Sequence, residues 1–303
     1  MLGMSTTTGH GHGHTHDGIN WAERLGHLQA IDALDRDTHA DVAQRLAAGL
    51  PEGATVVDIG SGAGGMSSAF GRALAAAGGG TVVLVDAVPA LLDAATAHVR
   101  AEAPAVEVVS VLADAADPAL PELVPAGDLV WASGVVHHLP DQQRGVNTLA
   151  RMVRPGGRLA LREGGLATQC LPWDVGIGTP GLQGRLLAAR ESWFERMRAD
   201  MPDVVRLPGG WGRALAAAGL GDVTSLGFLV DHPAPASAPA RESVVNWLTF
   251  MADMAGEWLS EEDRATVARL IDPHDSAFVG NSDDVFVLSA STVHHGTRPV
   301  PPA

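Results

Sequence analysis

An open α/β sheet, mostly parallel and wound on both faces, is the fold class this sequence predicts. Two observations carry that prediction. Five apolar, strand-like runs alternate with helix-like segments: Thr55–Ile59, Thr81–Val85, Val106–Leu112, Asp128–Ala132 and Gly157–Leu161. They are Val/Leu-rich without strict alternation, as strands buried on both faces should be. Repeated strand–helix units of this kind build a parallel sheet. The second observation is the stretch from Val56 to Gly65, Val-Val-Asp-Ile-Gly-Ser-Gly-Ala-Gly-Gly, followed at once by a helical pattern from Met66 to Ala77. A strand, a tight glycine turn and a helix start form the ligand-holding corner of such sheets.

The helices between the strands follow from periodicity. Met66, Phe70, Ala73, Leu74 and Ala77 share one face of the first, and Val146, Leu149, Ala150 and Val153 one face of another. Gly78-Gly79-Gly80 and Pro155-Gly156-Gly157 terminate them. Ahead of the sheet, Trp21, Leu25, Leu28, Val42 and Leu46 recur at helical spacing, and Pro51-Glu52-Gly53 closes that region.

After Leu161 the rhythm breaks. A long segment to Leu207 carries helical pieces with Trp173, Trp193 and Phe194, and a short helix is expected over Gly212–Ala218. A strand at Val223–Val230, a Pro/Ala-rich connector at Pro233–Ala240 and a second helical stretch from Glu242 to Ile271 follow. Ser260-Glu-Glu-Asp263 opens the last helix as a capping box. A final strand is expected at Val285–Ser289. The expected organisation is a flexible tail (1–18), an N-terminal helical segment (19–50), a ligand-binding core (51–163), a helical insertion (164–221), a core strand (222–230), a second helical insertion (231–283) and the last strand with its tail (284–303).

Composition excludes several functions. The 303 residues carry 35 acids against 20 bases, a net charge of −15. Nucleic acid and anionic membrane surfaces need a dense basic patch and are poor partners. No apolar run reaches the roughly 20 residues of a membrane span, and the N-terminus lacks the basic-then-apolar order of a secretion signal. One cysteine, Cys170, excludes a disulfide framework or a thiolate zinc cluster within one chain and fits a reducing cytoplasm. Tyrosine is absent, so no tyrosine base is available.

The ligand corner has a distinctive charge. Asp58 stands just ahead of the glycines Gly60, Gly62 and Gly64. A phosphate would be repelled there, whereas a cationic ligand is welcome. Asp86 ends the second strand and can accept two hydrogen bonds from a ribose diol. Asp114, after the third strand, suits an adenine amino group, with the N–H of Ala115 meeting the ring. The fourth strand runs into Ala132-Ser-Gly-Val-Val-His-His-Leu-Pro140.

In this ordered set the chain resembles the class I S-adenosylmethionine-dependent methyltransferases, particularly their small-molecule branch. The match is close over Ala54 to Leu161 and includes the Arg154-Pro-Gly-Gly157 turn before the fifth strand. The resemblance implies a Rossmann-like, seven-stranded sheet with an antiparallel last strand. It implies S-adenosyl-L-methionine as cofactor, held by Asp58, Gly60, Ser61, Gly62, Gly64, Asp86, Ala87, Asp114, Ala115, Ser133 and Gly134. Methyl transfer to O, N or C of a small molecule is the implied reaction; cyclisation and non-catalytic cofactor binding are the alternatives, and a peptide acceptor fits as well.

Catalytic candidates sit beyond the fourth and fifth strands. His137 or His138 could take a proton from the acceptor, since His is the usual base near neutral pH; the alternative is a plain helix-entry pair. Glu163 could orient or bind a cationic substrate, or pair with Arg162 or Arg158. His10, His12, His14 and His16 alternate in the tail, either as a metal trap or as disordered chain, and no metal site is assigned. Cys170 could be a nucleophile, but no Pro-Cys motif surrounds it. The tryptophans after Gly164 pack the added helices and, in the sharper reading, line an apolar or aromatic substrate pocket under a lid.

Overall fold

The expected alternation forms one sheet in the computed structural model, which describes residues 19–302. In chain order the helices and strands are α1 (Leu25–Leu34), α2 (Arg36–Ala47), β1 (Thr55–Ile59), α3 (Gly65–Ala76), β2 (Thr81–Asp86), α4 (Pro89–Glu102), β3 (Glu107–Leu112), α5 (Leu120–Leu123), β4 (Gly127–Ser133), α6 (Gln142–Met152), β5 (Val153–Gln169), α7 (Leu182–Asp200), α8 (Trp211–Ala217), β6 (Gly221–His232), α9 (Ala238–Ala255), α10 (Glu261–Ile271) and β7 (Val287–Thr297). The seven strands lie in the order β3-β2-β1-β4-β5-β7-β6. β7 runs antiparallel to both of its neighbours, β5 and β6, and the other pairings are parallel. The order reverses between β1 and β4, which opens a crevice at their carboxyl ends where such sheets hold ligands.

Both faces of the sheet are covered. Val56, Leu84, Leu129 and Trp131 face α2, α3 and α4, packing on Leu46, Phe70, Leu74 and Val99. The opposite face buries Val57, Ile59, Val83 and Leu161 under Leu149, Met152 and Leu215 of α6 and α8. Full burial of such a side chain is worth about 1.5–3 kcal/mol, so this two-sided core fixes the register that aligns the strand ends. A third core lies beyond the sheet, where Leu186 of α7, Val244, Leu248 and Met251 of α9, and Val267 and Leu270 of α10 meet Val230 and Val287.

Element bounds differ from expectation where apolar pattern and hydrogen bonding part company. The fifth strand continues past Leu161 to Gln169, because β7 provides an antiparallel ladder beyond the parallel part of the sheet. Gly164 and Gly165 hide that continuation in the sequence. The last strand runs over Val287–Thr297 rather than Val285–Ser289. Its Ser/Thr/His-rich half has no apolar run to reveal it, although Val293 is fully buried. Helix α9 begins at Ala238, inside the stretch expected as a connector. Pro239 sits in its first turn, where the missing N–H costs nothing, and Ser237 Oγ accepts the Ala240 N–H. Ser260 caps α10 as expected, its Oγ accepting the Asp263 N–H at 3.1 Å, while the Asp263 carboxylate pairs with Arg185 instead of returning to the Ser260 N–H. Among the described residues no helix is long and apolar enough to cross a membrane.

Candidate cofactor site and the turn after the fourth strand

A cavity of about 300 Å³ opens at the carboxyl ends of β1, β2 and β4. Of the residues expected at the site it gathers Asp58, Gly60, Ser61, Gly62, Asp86, Ala87, Asp114, Ala115, Ser133, Gly134 and His138. Gly64, His137 and Glu163 are not among the residues lining it.

Asp58 is buried at the end of β1 and accepts a hydrogen bond from Ser67 Oγ on α3. Desolvation pushes its carboxyl up to about 7, with Asp86 and Asp32 adding repulsion and the Ser67 bond opposing. A buried acid of this kind gains from a cation brought beside it. Asp86 braces two loops at once, because its Oδ2 accepts the Gly62 N–H and its Oδ1 the Val88 N–H, both at 2.9 Å. Burial raises its pKa while these backbone bonds lower it. Each carboxylate oxygen keeps a second lone pair, so bracing and ligand contact are compatible. Asp114 Oδ1 accepts the Ala116 N–H at 2.8 Å, forming the turn after β3.

Gly64 serves packing, not ligand approach. It caps α3 at φ 89°, and a Cβ there would stand 2.7 Å from the Ala95 backbone of α4. Only glycine adopts that φ cheaply and lets the two helices close.

The turn after β4 is held from two sides. Glu163, 3% exposed at the fifth strand, accepts the Val136 N–H at 2.9 Å and lies 2.6 Å from His137 Nδ1. The expected alternative, an ion pair to Arg158 or Arg162, does not form. Arg158 donates to Leu46 O, and Arg162 donates to Ser291 Oγ with Asp35 at 3.8 Å. From the other side, Arg198 of α7 donates to the carbonyls of His137, Leu139 and Pro140. Phe194, one turn earlier on α7, stands 5.8 Å from the His137 ring, and the His137 and His138 rings are 4.0 Å apart.

The lining residues end at Arg162, so none of the tryptophans after Gly164 reaches this cavity. Trp173 is exposed, while Trp193, Trp247 and Trp258 pack on the third core. The apolar wall comes from Trp21, Leu28 and Ile31 in and before α1. The inserted helices support that wall from behind: Phe250 of α9 stacks on His27 at 5.7 Å, and Asp253 pairs with Arg24 at 3.0 Å. Cys170 is buried, faces Gln183 Oε1 at 3.6 Å, and has its thiol pKa pushed up by burial. It lies away from the cavity lining and is a poor nucleophile. The tail histidines His10, His12, His14 and His16 lie outside the described residues.

Sequence reasoning missed Asp32 and His39 on the N-terminal helices, and Trp131 and Arg162 on β4 and β5. All four line the cavity. Asp32 Oδ2 accepts the Gly65 N–H at 2.8 Å, which docks α1 onto the start of α3. Only the apolar period of the N-terminal helices is visible in the sequence; their inward polar residues follow no motif.

Residues 57–161 match the profile of a family described as a methyltransferase domain. This segment is a class I S-adenosylmethionine-dependent methyltransferase domain on a Rossmann-like sheet. Over 34 residues the chain is 53% identical to 27-O-demethylrifamycin SV methyltransferase of Amycolatopsis mediterranei (strain S699), a match covering 11% of this chain and 12% of that protein. Among solved structures it is similar to the YcgJ protein of Bacillus subtilis, at 18% identity, TM-score 0.47, over 86% of this chain and 99% of that one. It is similar to geranyl diphosphate C-methyltransferase of Streptomyces coelicolor A3(2), at 14% identity, TM-score 0.45, over 86% and 79%. Phosphoethanolamine N-methyltransferase 2 of Haemonchus contortus is similar at 16% identity, TM-score 0.47, over 93% and 60%.

Proposed function

We propose that this chain transfers the methyl group of S-adenosylmethionine to an oxygen, nitrogen or carbon of a small apolar or aromatic molecule, in the cytoplasm. The observation that carries the reading is the convergence of Asp58, Asp86 and Asp114, from three successive strand ends, on one cavity with the Ser133–His138 turn. The acids suit the cofactor's charge pattern. Asp58 is a counter-charge for its cationic groups, the remaining lone pairs of Asp86 suit a ribose diol, and Asp114 with Ala115 suits an adenine edge. Ser61, Ala87, Ser133 and Gly134 complete the wall.

The bound cofactor supplies a methyl already activated by a sulfonium. The chain therefore has to bind, align and exclude water. Trp21, Leu28 and Ile31 provide the apolar cover, and the helices after Gly164 act as a lid frame that holds it down. Where the acceptor must lose a proton, the histidine turn is the source of a base. With Nδ1–H of His137 donated to Glu163, its Nε2 keeps a lone pair. His138 lines the cavity itself.

Titration calorimetry with S-adenosylmethionine and its demethylated product tests the reading. The wild type binds both, and Asp86→Ala weakens binding about tenfold or more through lost ribose contacts. No binding by the wild type rejects it. Release of demethylated cofactor over a panel of small acceptors then tests transfer, and mass analysis separates a methylated product from a cyclised one.

A further inference from the structure

The turn after β4 opens on two sides. His138 lines the cavity, whereas His137 is not among its lining residues. The His137 side chain is nevertheless 29% exposed, and its ring lies 4.0 Å from that of His138. The histidine pair therefore joins the cavity to a second, outer surface that carries His137.

Helix α7 supplies the rest of that surface. Phe194 stands 5.8 Å from the His137 ring, and Trp193 stands 6.3 Å from Phe194. From His138 outward, four rings follow one another at the spacing of aromatic pairs. Trp193 joins the third core, but Phe194, also half-buried, packs into none of the three cores among the described residues. Arg198, one turn further on, donates to the carbonyls of His137, Leu139 and Pro140, which holds Phe194 in a fixed relation to the turn.

One polar atom sits among these rings. A carboxylate can only accept, so with Glu163 Oε2 at 2.6 Å the hydrogen is on His137 Nδ1 and Nε2 is an acceptor. An aromatic face beside an acceptor matches a planar ring that bears a donor. The Glu163 carboxylate also stabilises an imidazolium, which favours a donor whose proton leaves completely. A hydroxyl has to lose its proton to become the nucleophile, whereas an amine attacks with its lone pair first.

We infer that Phe194 and His137 form an acceptor site at the outer rim of the cavity, which stacks a planar aromatic ring and takes the proton of its hydroxyl. The inference rests on the cofactor reading above. The hydroxyl oxygen bonds to the methyl carbon as the bond from that carbon to sulfur breaks, with its electron pair passing to sulfur. The hydroxyl proton goes to His137 Nε2, which later returns it to water. An aryl methyl ether and the demethylated cofactor are the products.

Calorimetry on protein saturated with S-adenosylhomocysteine tests the site with three probes. They are 2-naphthol, its saturated counterpart decahydro-2-naphthol, and 2-methoxynaphthalene, which has no proton to donate. The wild type binds 2-naphthol at least about threefold more tightly than either of the others. Phe194→Leu loses about three- to tenfold for 2-naphthol and keeps decahydro-2-naphthol and S-adenosylhomocysteine within about twofold. Phe194→Tyr, which restores the ring, restores the preference. Equal binding of the planar and saturated alcohols, or a Phe194→Leu variant with a lowered melting temperature and an unchanged ratio, overturns the aromatic site. Equal binding of 2-naphthol and its methyl ether overturns the hydroxyl contact. Each of these leaves the cofactor reading standing, whereas failure of the wild type to bind S-adenosylhomocysteine overturns that reading itself.

Discussion

Glu163 Oε2 lies 2.6 Å from His137 Nδ1, and the other oxygen of the same carboxylate accepts the Val136 N–H. One buried acid thus fixes both the backbone of the turn after β4 and the ring that follows it. Glu163→Gln is isosteric and can still accept from Val136, but it removes the charge behind His137. If the histidine takes a proton during transfer, kcat drops about 100-fold, the lower range for general-base loss, while cofactor affinity stays within about twofold. Single-turnover release of the demethylated product checks this. A variant with full kcat and a lowered melting temperature would reduce Glu163 to a brace.

Arg198 ties α7 to the carbonyls of His137, Leu139 and Pro140. Arg198→Met strands these acceptors and costs about 1–3 kcal/mol of stability, readable in denaturant melts. Because the loops after β1 and β2 are braced separately by Asp86, cofactor affinity in calorimetry remains near wild type. Arg198→Lys restores the charge without the fork and recovers only part of the loss. Equal damage to cofactor binding would mean that the turn and the glycine loop are one unit.

Gly65 allows the docking of α1. A Cβ there would meet Asp32 Cγ at 2.2 Å, where the Asp32 carboxylate now caps the start of α3. Gly65→Ala therefore displaces α1 from the cavity mouth. No α1 residue is fully buried, so the melting temperature changes little. Limited proteolysis should cut the 19–34 segment several times faster, and cofactor affinity should fall. Unchanged cleavage would show that the segment is held elsewhere.

Asp58 makes the unliganded protein sensitive to alkali. Its folded pKa, about 7, lies above the ordinary 3.8 of an aspartate. Such a group stabilises the fold fully below the unfolded value and loses that contribution as pH rises through the folded one. Asp58→Asn cannot ionise, so its melting temperature should gain on the wild type between pH 5 and about 8. A cationic ligand favours the ionised acid, so binding near pH 7 should release a proton. Calorimetry in buffers of different ionisation enthalpy measures that release. Parallel pH curves for the two proteins would assign the effect to another group.

The glycine loop, Asp86, Asp114 and the β4 turn were legible in the sequence because each is local. Every one sits within a few residues of a strand end, and strand ends converge wherever a parallel sheet forms. The polar half of β7 and the far end of β5 were not legible, since their backbone bonds come from one another and no apolar period marks them. The same holds for the cover of the cavity. Tryptophans after Gly164 suggested a pocket wall, yet Trp21, Leu28 and Ile31 form it, and the inserted helices brace it through His27–Phe250 and Arg24–Asp253.

By itself, then, the sequence determined the class of sheet, the strand ends that meet and the charge of the corner where they meet, because spacing of 2.0 and 3.6 residues and glycine turns are short-range properties. Only the tertiary structure decided which distant side chains look into the cavity. His39, Trp131 and Arg162 come from three elements far apart in the chain. They become neighbours through helix-on-sheet packing, which depends on the summed burial of whole faces and leaves no mark at any one position.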